Sequence, residues 1–220
     1  MKRKLITTSD GSSTIQIEEW GETYHSIHGA VREAEHVYIK NGLERLANNN
    51  VKILEMGFGT GLNAFLTALK AKKDQKKIEY HTVEGFPLST EETEKLNYID
   101  LVKTKEGQQI FEALHTSPWN KKTRLTQEFT LNKIHGLFEE VNLANDHFDL
   151  IYFDVFGYPY QPQLWSVEIF KKMYAALKQG GILTTYACRS PIKKAMQNAG
   201  LLIEVCPGPP GKREMIIARK

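Results

Sequence analysis

The chain has 220 residues, 41% of them hydrophobic and 25% charged, with a net charge of +3. Both fractions are ordinary for a globular protein with one full core, and the mild excess of base permits an RNA partner without requiring one. Cys188 and Cys206 are too few for a disulfide framework, which points to a reducing cytoplasm; the basic start Met1-Lys2-Arg3-Lys4 leads into polar residues rather than an apolar signal segment, and no run reaches the ~20 apolar residues of a membrane helix.

From the N-terminus, Ser13 to Glu19 alternates, with Ile15 and Ile17 on one face, and reads as a strand or hairpin arm. Gly29 precedes a helical segment, Ala30 to Ala47. Asn48-Asn49-Asn50 is a turn, and Val51 to Met56 a buried strand. Leu62, Phe65, Leu66 and Leu69 then follow the i, i+3, i+4, i+7 spacing of an amphipathic helix. Ile78 to Glu84 reads as a strand, followed by helices over Ser89 to Asp100, opened by a Ser89…Glu92 capping box, and over Gly107 to Leu114. Phe129 to His135 and Asp149 to Asp154 are strands, and Gln163 to Lys178 is a helix. Gly180-Gly181 ends that helix and feeds a strand, Ile182 to Ala187. A short helix, Pro191 to Ala199, precedes two last strands, Leu201 to Cys206 and Arg213 to Ala218, joined through Pro207-Gly208-Pro209-Pro210-Gly211.

Alternating strands and helices imply an α/β, Rossmann-like architecture: a mostly parallel, seven-stranded sheet covered on both faces, with the last strand antiparallel because a short turn joins it to its predecessor. Residues 1–50 form an N-terminal strand and helix extension, and residues 51–220 the cofactor-binding domain. Ligands in such sheets sit at the carboxyl ends of the strands. Glu55, Glu84, His135 and Asp154 all fall there.

The strand-to-helix loop Glu55-Met56-Gly57-Phe58-Gly59-Thr60-Gly61-Leu62-Asn63 is built for a nucleotide-sized ligand. A dinucleotide fingerprint would need a third glycine where Leu62 stands. The pattern E-x-G-x-G-T-G instead resembles the first motif of class I S-adenosylmethionine-dependent methyltransferases. In that family the loop wraps the methionine half of the cofactor, and an acid ending the second strand holds the ribose hydroxyls, a role Glu84 matches. Cofactor contacts are thereby carried onto Glu55, Gly57, Gly59, Thr60, Gly61, Asn63, Glu84 and His135.

Further segments narrow the resemblance: Tyr24-His25-Ser26-Ile27-His28-Gly29-Ala30, Glu84-Gly85-Phe86-Pro87, Phe148-Asp149-Leu150-Ile151-Tyr152-Phe153-Asp154-Val155-Phe156, and Gly208-Pro209-Pro210-Gly211-Lys212-Arg213-Glu214-Met215. In order and spacing they resemble the methyltransferase half of the bifunctional enzymes that make 5-methylaminomethyl-2-thiouridine at the wobble position of tRNA. The resemblance implies N-methylation of a 5-aminomethyl group on uridine 34, with tRNA as partner and a separate flavin oxidoreductase supplying the amine. It makes Asp154 the catalytic residue that holds the amine, with Phe156 and Tyr158 beside the uracil ring. Trp165 is read as core at least as readily as wall. His25, Glu33 and His36 line the cofactor mouth or bind substrate, or Glu33 and His36, three apart on one helix face, form a structural pair, and Lys212 and Arg213 either contact phosphates or are simply solvated. Two departures touch the substrate side. Val155 is bulkier than the family's small residue, and Leu137 stands where an acid often holds adenine. No metal-ligand spacing is present, so no metal is expected. Methyl or aminopropyl transfer to a small-molecule amine, and a non-catalytic RNA-binding protein, are the competing readings.

Overall fold

The first strands, β1 (Arg3–Thr7), β2 (Ser13–Ile17) and β3 (Glu22–Thr23), form a small antiparallel sheet of their own in the order β1-β2-β3. The computed structural model describes residues 2–104 and 106–220, so Met1 of the basic start lies outside the described residues. The polar β1 carries no alternation strong enough to be read from sequence.

The main sheet is built from β4 (Asn50–Met56), β5 (Lys77–Glu84), β6 (Lys122–Arg124), β7 (Phe129–His135), β8 (Phe148–Phe153), β9 (Leu177–Thr185), β10 (Leu202–Pro207) and β11 (Glu214–Arg219). Its order is β10-β11-β9-β8-β4-β5-β7-β6. Every residue of β8 is buried, as a parallel strand covered on both faces requires. The last strand, β11, is antiparallel to both β9 and β10, as its short connection dictates. The sheet has eight strands rather than seven, because the short polar Lys122–Arg124 segment adds an antiparallel edge beside β7. From β4 the chain moves outward through β5 to β7, then returns to the opposite side through β8 and β9. The carboxyl ends of β4 and β8 therefore flank the switch point.

The helices depart from the sequence reading at three places. The segment after Gly29 is α1 (Ala30–Ala34), which continues as π-helical turns over Glu35–Lys40 and ends before Gly42. After α2 (Leu62–Asp74), the region 89–100 splits into α3 (Thr90–Thr93) and α4 (Tyr98–Val102), although the Ser89/Glu92 capping box is present. Asn97 breaks the helix: its Oδ1 accepts from Ser13 N at 2.7 Å and its Nδ2 donates to Gly11 O at 2.8 Å. These bonds to the small sheet outweigh the local helix preference. Beyond α5 (Gly107–Thr116), the helix expected over 163–178 is α6 (Val167–Ala176), capped by Ser166 and preceded by a 3-10 turn over Pro162–Trp165. Gly180-Gly181 does not end that helix. It lies inside β9, where Gly180 takes φ 75° and the register against β8 slips between Phe148 and Leu150. The last helix is α7 (Ser190–Asn198). Val37 and Tyr38 from the N-terminal segment enter the same core cluster as Ile53, Phe65 and Phe111, so this segment is packed onto the sheet.

Candidate active site

Between β4 and α2 the chain turns through Gly57, Gly59 and Gly61, with φ of 101°, 51° and 73°. All three lie in the left-handed region that glycine enters without steric cost. At Gly57 the backbone passes so close to β8 that a Cβ would collide with the carbonyl oxygen of Asp154. Gly59 N donates to Glu84 Oε2 at 2.9 Å, and Phe86 N donates to Oε1 at 2.8 Å. The carboxylate at the end of β5 is thus fixed against the loop, with lone pairs remaining for a diol.

Asp154 follows the last residue of β8. Asn63 Nδ2, in the first turn of α2, donates to its Oδ2 at 2.8 Å. Burial raises the Asp154 carboxyl pKa to about 6, with the Glu33 carboxylate adding to the rise, while the Tyr38 hydroxyl, Asn63 and Lys212 oppose it.

These groups face one cavity of about 390 Å³ between the glycine loop and the small N-terminal sheet. Trp20, Tyr24 and Phe156 make an aromatic wall, with Phe156 edge-on to Trp20 at 5.5 Å and to Tyr24 at 5.0 Å. His25 also lines the cavity. Its Nδ1 lies 3.0 Å from Thr14 Oγ1, and burial pushes its pKa down to about 4, so it is neutral. Among the described residues the lining holds three carboxyl groups, Glu84, Glu139 and Asp154, and no lysine or arginine. Asn63 Oδ1 is buried there without a protein partner. An acidic cavity beside backbone amides and an unpaired amide oxygen fits a cationic nucleoside.

The structure brings Gly57, Gly59, Thr60, Asn63, Glu84, Asp154, His25 and Phe156 to this cavity. Gly61 stands just behind it as the N-cap of α2. Glu55 and His135 do not reach it. Glu55 is fully buried beneath the loop, where Thr82 Oγ1 donates to its Oε2 at 2.7 Å and burial raises its pKa well above the ordinary carboxylate value. His135 is exposed, with its ring 5.9 Å from Trp119; Leu137, Phe138 and Glu139 form the wall instead. Trp165 is core, and its Nε1 donates to Phe156 O at 2.9 Å.

Glu33 and Lys212 pair with each other. Glu33 Oε1 accepts from the Lys212 ammonium, and its Oε2 accepts from Ser26 N at 2.7 Å. The Lys212 ammonium also lies 4.3 Å from the Tyr186 ring centroid. Lys212 is therefore an internal tie between α1 and the last hairpin rather than a free surface cation. Tyr158, Lys212 and Arg213 line a second cavity of about 400 Å³. Tyr186 lines both cavities, and its hydroxyl donates to Val155 O at 2.9 Å. Trp20, Glu139 and Tyr186 went unread in the sequence because their strand and loop positions carry no periodic signal; Tyr24 lay within a segment already singled out.

One group of side chains among the described residues has metal-ligand proximity: Glu79, His81 and His147. Sequence spacing missed it because Glu79 and His81 lie on β5 while His147, just before β8, is far away in the chain. It sits at the opposite end of β5 from Glu84, and Lys122 Nζ at 3.0 Å from Glu79 and Lys52 Nζ at 3.4 Å from His147 already supply its positive charge.

A doubly wound sheet with a glycine loop at its switch point, a carboxylate at the end of the next strand and an acid across the loop defines a nucleoside-cofactor transferase. Residues 105–220 match the family model described as S-adenosyl-L-methionine-dependent methyltransferase, and the chain belongs to that family. Its cofactor is S-adenosylmethionine. A tRNA 5-methylaminomethyl-2-thiouridine biosynthesis bifunctional protein MnmC from Leptospira interrogans is 30% identical over 222 residues, covering 91% of this chain and 33% of that protein. The Campylobacter concisus protein of the same name is 26% identical over 215 residues, covering 90% and 32%. The chain thus spans about a third of the length of these relatives. The crystal structure of MNMC2 from Aquifex aeolicus superposes with a TM-score of 0.80 at 22% identity, covering 99% of this chain and 70% of that one. Spermidine synthase from Thermotoga maritima gives 0.62 at 15% identity, with 99% and 69% covered. Both share the fold.

Proposed function

We propose that this methyltransferase N-methylates the 5-aminomethyl group of the wobble uridine in tRNA, giving 5-methylaminomethyl(-2-thio)uridine. The observation that carries this reading is Asp154, held by Asn63 where the acidic cavity meets the Phe156 wall. The names of the Leptospira and Campylobacter relatives support the tRNA substrate. A flavin oxidoreductase activity supplies the aminomethyl group, and the reaction takes place in the cytoplasm. No helix among the described residues is long and apolar enough to cross a membrane.

Gly57, Gly59, Thr60, Gly61 and Asn63 would hold the methionine half of the cofactor, and Glu84 its ribose diol. Phe86, Leu137 and Phe138 would enclose the adenine, with Glu139 in place of the acid that Leu137 displaces. Bound S-adenosylmethionine supplies a methyl carbon already activated by its sulfonium, so the protein's main task is alignment. An alkylamine is protonated near neutral pH. Asp154 accepts a hydrogen bond from it, orients the nitrogen lone pair, and receives the proton that must leave. Phe156, Trp20 and Tyr24 offer the flat apolar surface on which an unstacked pyrimidine rests.

The test is transfer of labelled methyl from S-adenosylmethionine to tRNA whose wobble uridine carries an aminomethyl group, read by mass spectrometry of the nucleosides. Methyl incorporation at that nitrogen is expected. Labelling of small amines alone would overturn the tRNA assignment.

A further inference from the structure

The two cavities that meet at Tyr186 both carry carboxyl groups, but only the second carries cations among the described residues. The first is lined by carboxyl groups without a cation among the described residues, a surface that repels phosphate and suits a sulfonium. The second is rimmed by Arg189 and Arg213, both exposed, and is also lined by Lys212 and by the carboxyl groups of Glu22 and Glu214, so it is mixed in charge where the first is acidic. Neither guanidinium has a hydrogen-bond or ion-pair partner among the described residues, unlike Arg3, Arg45, Lys70, Lys122 and Lys178 elsewhere on the surface. Lys212, in the same cavity, is already neutralised by Glu33. Tyr158 and Tyr160 add aromatic surface, and Tyr160 stacks on Trp20 at 5.9 Å, which continues the aromatic wall from one cavity to the other.

We propose that the acceptor nucleotide enters through the second cavity, not through the mouth of the first. In this arrangement Arg189 and Arg213 bind the phosphodiesters flanking the modified residue. Its base passes Tyr158 and Tyr186 to rest on the Phe156, Trp20 and Tyr24 surface, which brings the aminomethyl arm to Asp154. The hydroxyl of Tyr186, bonded to the carbonyl of the residue after Asp154, sets the width of that passage. Positioning by phosphate contacts and reading of an unstacked base by aromatic faces is the usual division of work in single-stranded RNA recognition. The inference rests on the tRNA reading above.

The test compares Arg189→Ala, Arg213→Ala and, as a control, Lys73→Ala, an exposed lysine at the far end of α2 from the glycine loop. The substrate is tRNA carrying 5-aminomethyluridine at the wobble position. Each arginine variant is expected to raise KM for tRNA about tenfold with kcat nearly unchanged. Each should also flatten the salt dependence of tRNA affinity by about one unit of slope, as loss of one phosphate contact does. Calorimetric affinity for S-adenosylmethionine should stay at the wild-type value, which also reports that the variants are folded. An active wild type whose KM and salt slope are unmoved by both arginine variants, or moved equally by Lys73→Ala, overturns the entry route alone. A wild type that methylates no tRNA overturns the function proposed above, and the entry route with it.

Discussion

Asn63 and Asp154 are joined by a 2.8 Å hydrogen bond that spans the glycine loop, tying the first turn of α2 to the end of β8. The two residues are far apart in sequence and meet because β4 and β8 are parallel neighbours. The bond holds one oxygen of Asp154, so the group proposed to receive the amine is oriented by the same helix that opens behind the glycine loop. Asn63 keeps its own Oδ1 unpaired and buried. One side chain thus connects the glycine loop, proposed as the cofactor side of the site, to Asp154, proposed as the acceptor side.

Replacing Asp154 should separate those two sides. Asp154→Ala is expected to lower turnover by roughly 10²–10⁴, the range for loss of a positioned acid–base group. Cofactor affinity by calorimetry should stay within a few-fold of wild type, because the loop and Glu84 are untouched. Turnover within tenfold of wild type would remove Asp154 from the mechanism.

The same carboxyl sets the expected pH profile. With its pKa raised from 3.8 to about 6, chiefly by burial, Asp154 is ionised only above that value, so kcat/KM should fall on the acid side with a midpoint near 6. Glu33 pushes the value up and Lys212 pulls it down. Glu33→Gln should therefore move the limb to lower pH, and Lys212→Met to higher pH. Opposite shifts, or none, would mean another group controls the limb. Stability follows the same proton. A carboxyl whose folded pKa is raised favours the folded state while protonated, so its contribution is present below 3.8 and lost as pH rises through about 6. Thermal melts of Asp154→Asn across that window should lack this loss.

Much of this site could be read in the chain because strand-end residues announce themselves. Glu84 closes an alternating strand and Asp154 an apolar run, and the alternate glycines between Glu55 and Leu62 leave few other uses for the loop. What sequence could not supply were choices made by tertiary contact. Asn97 bonds to the small sheet and cuts an expected helix in two. Gly180-Gly181 looks like a helix stop but serves as a bulge, because Gly180 N donates to Lys220 O at 3.2 Å. Lys212 looks like a surface cation until Glu33 is folded against it. Glu55 and His135 end strands as Glu84 does, yet one points into the core and the other to solvent.

Gly57 is the backbone position where the loop tolerates least change. A side chain there needs φ of 101° and meets the Asp154 carbonyl. Gly57→Ala should lower stability by more than ~1 kcal/mol, as an L-residue forced to positive φ does, and should abolish measurable cofactor binding by displacing β4 from β8. Calorimetric titration with wild-type affinity in this variant would show that the close approach is not needed for the cofactor.

Glu55 gives the sharpest separation between sequence pattern and structure. The loop pattern makes it a cofactor contact. In the folded protein it is fully buried, its Oε1 has no hydrogen-bond partner, and burial raises its pKa well above the ordinary carboxylate value, which favours the neutral acid. A neutral carboxylic acid and a carboxamide have nearly the same shape, and both can accept the Thr82 hydroxyl. Glu55→Gln should therefore keep cofactor affinity and melting temperature near wild type. Glu55→Ala should lower the melting temperature, since it leaves a cavity and strands the Thr82 donor. The two substitutions differ in volume and hydrogen bonding but not in charge, so a Gln variant as damaged as the Ala variant would mean that the ionised carboxylate is required. In that case Glu55 would act on the bound cofactor from beneath the loop, and its burial would serve to strengthen that field. Cofactor titration of both variants, with melting curves run alongside, distinguishes the packing role from the electrostatic one.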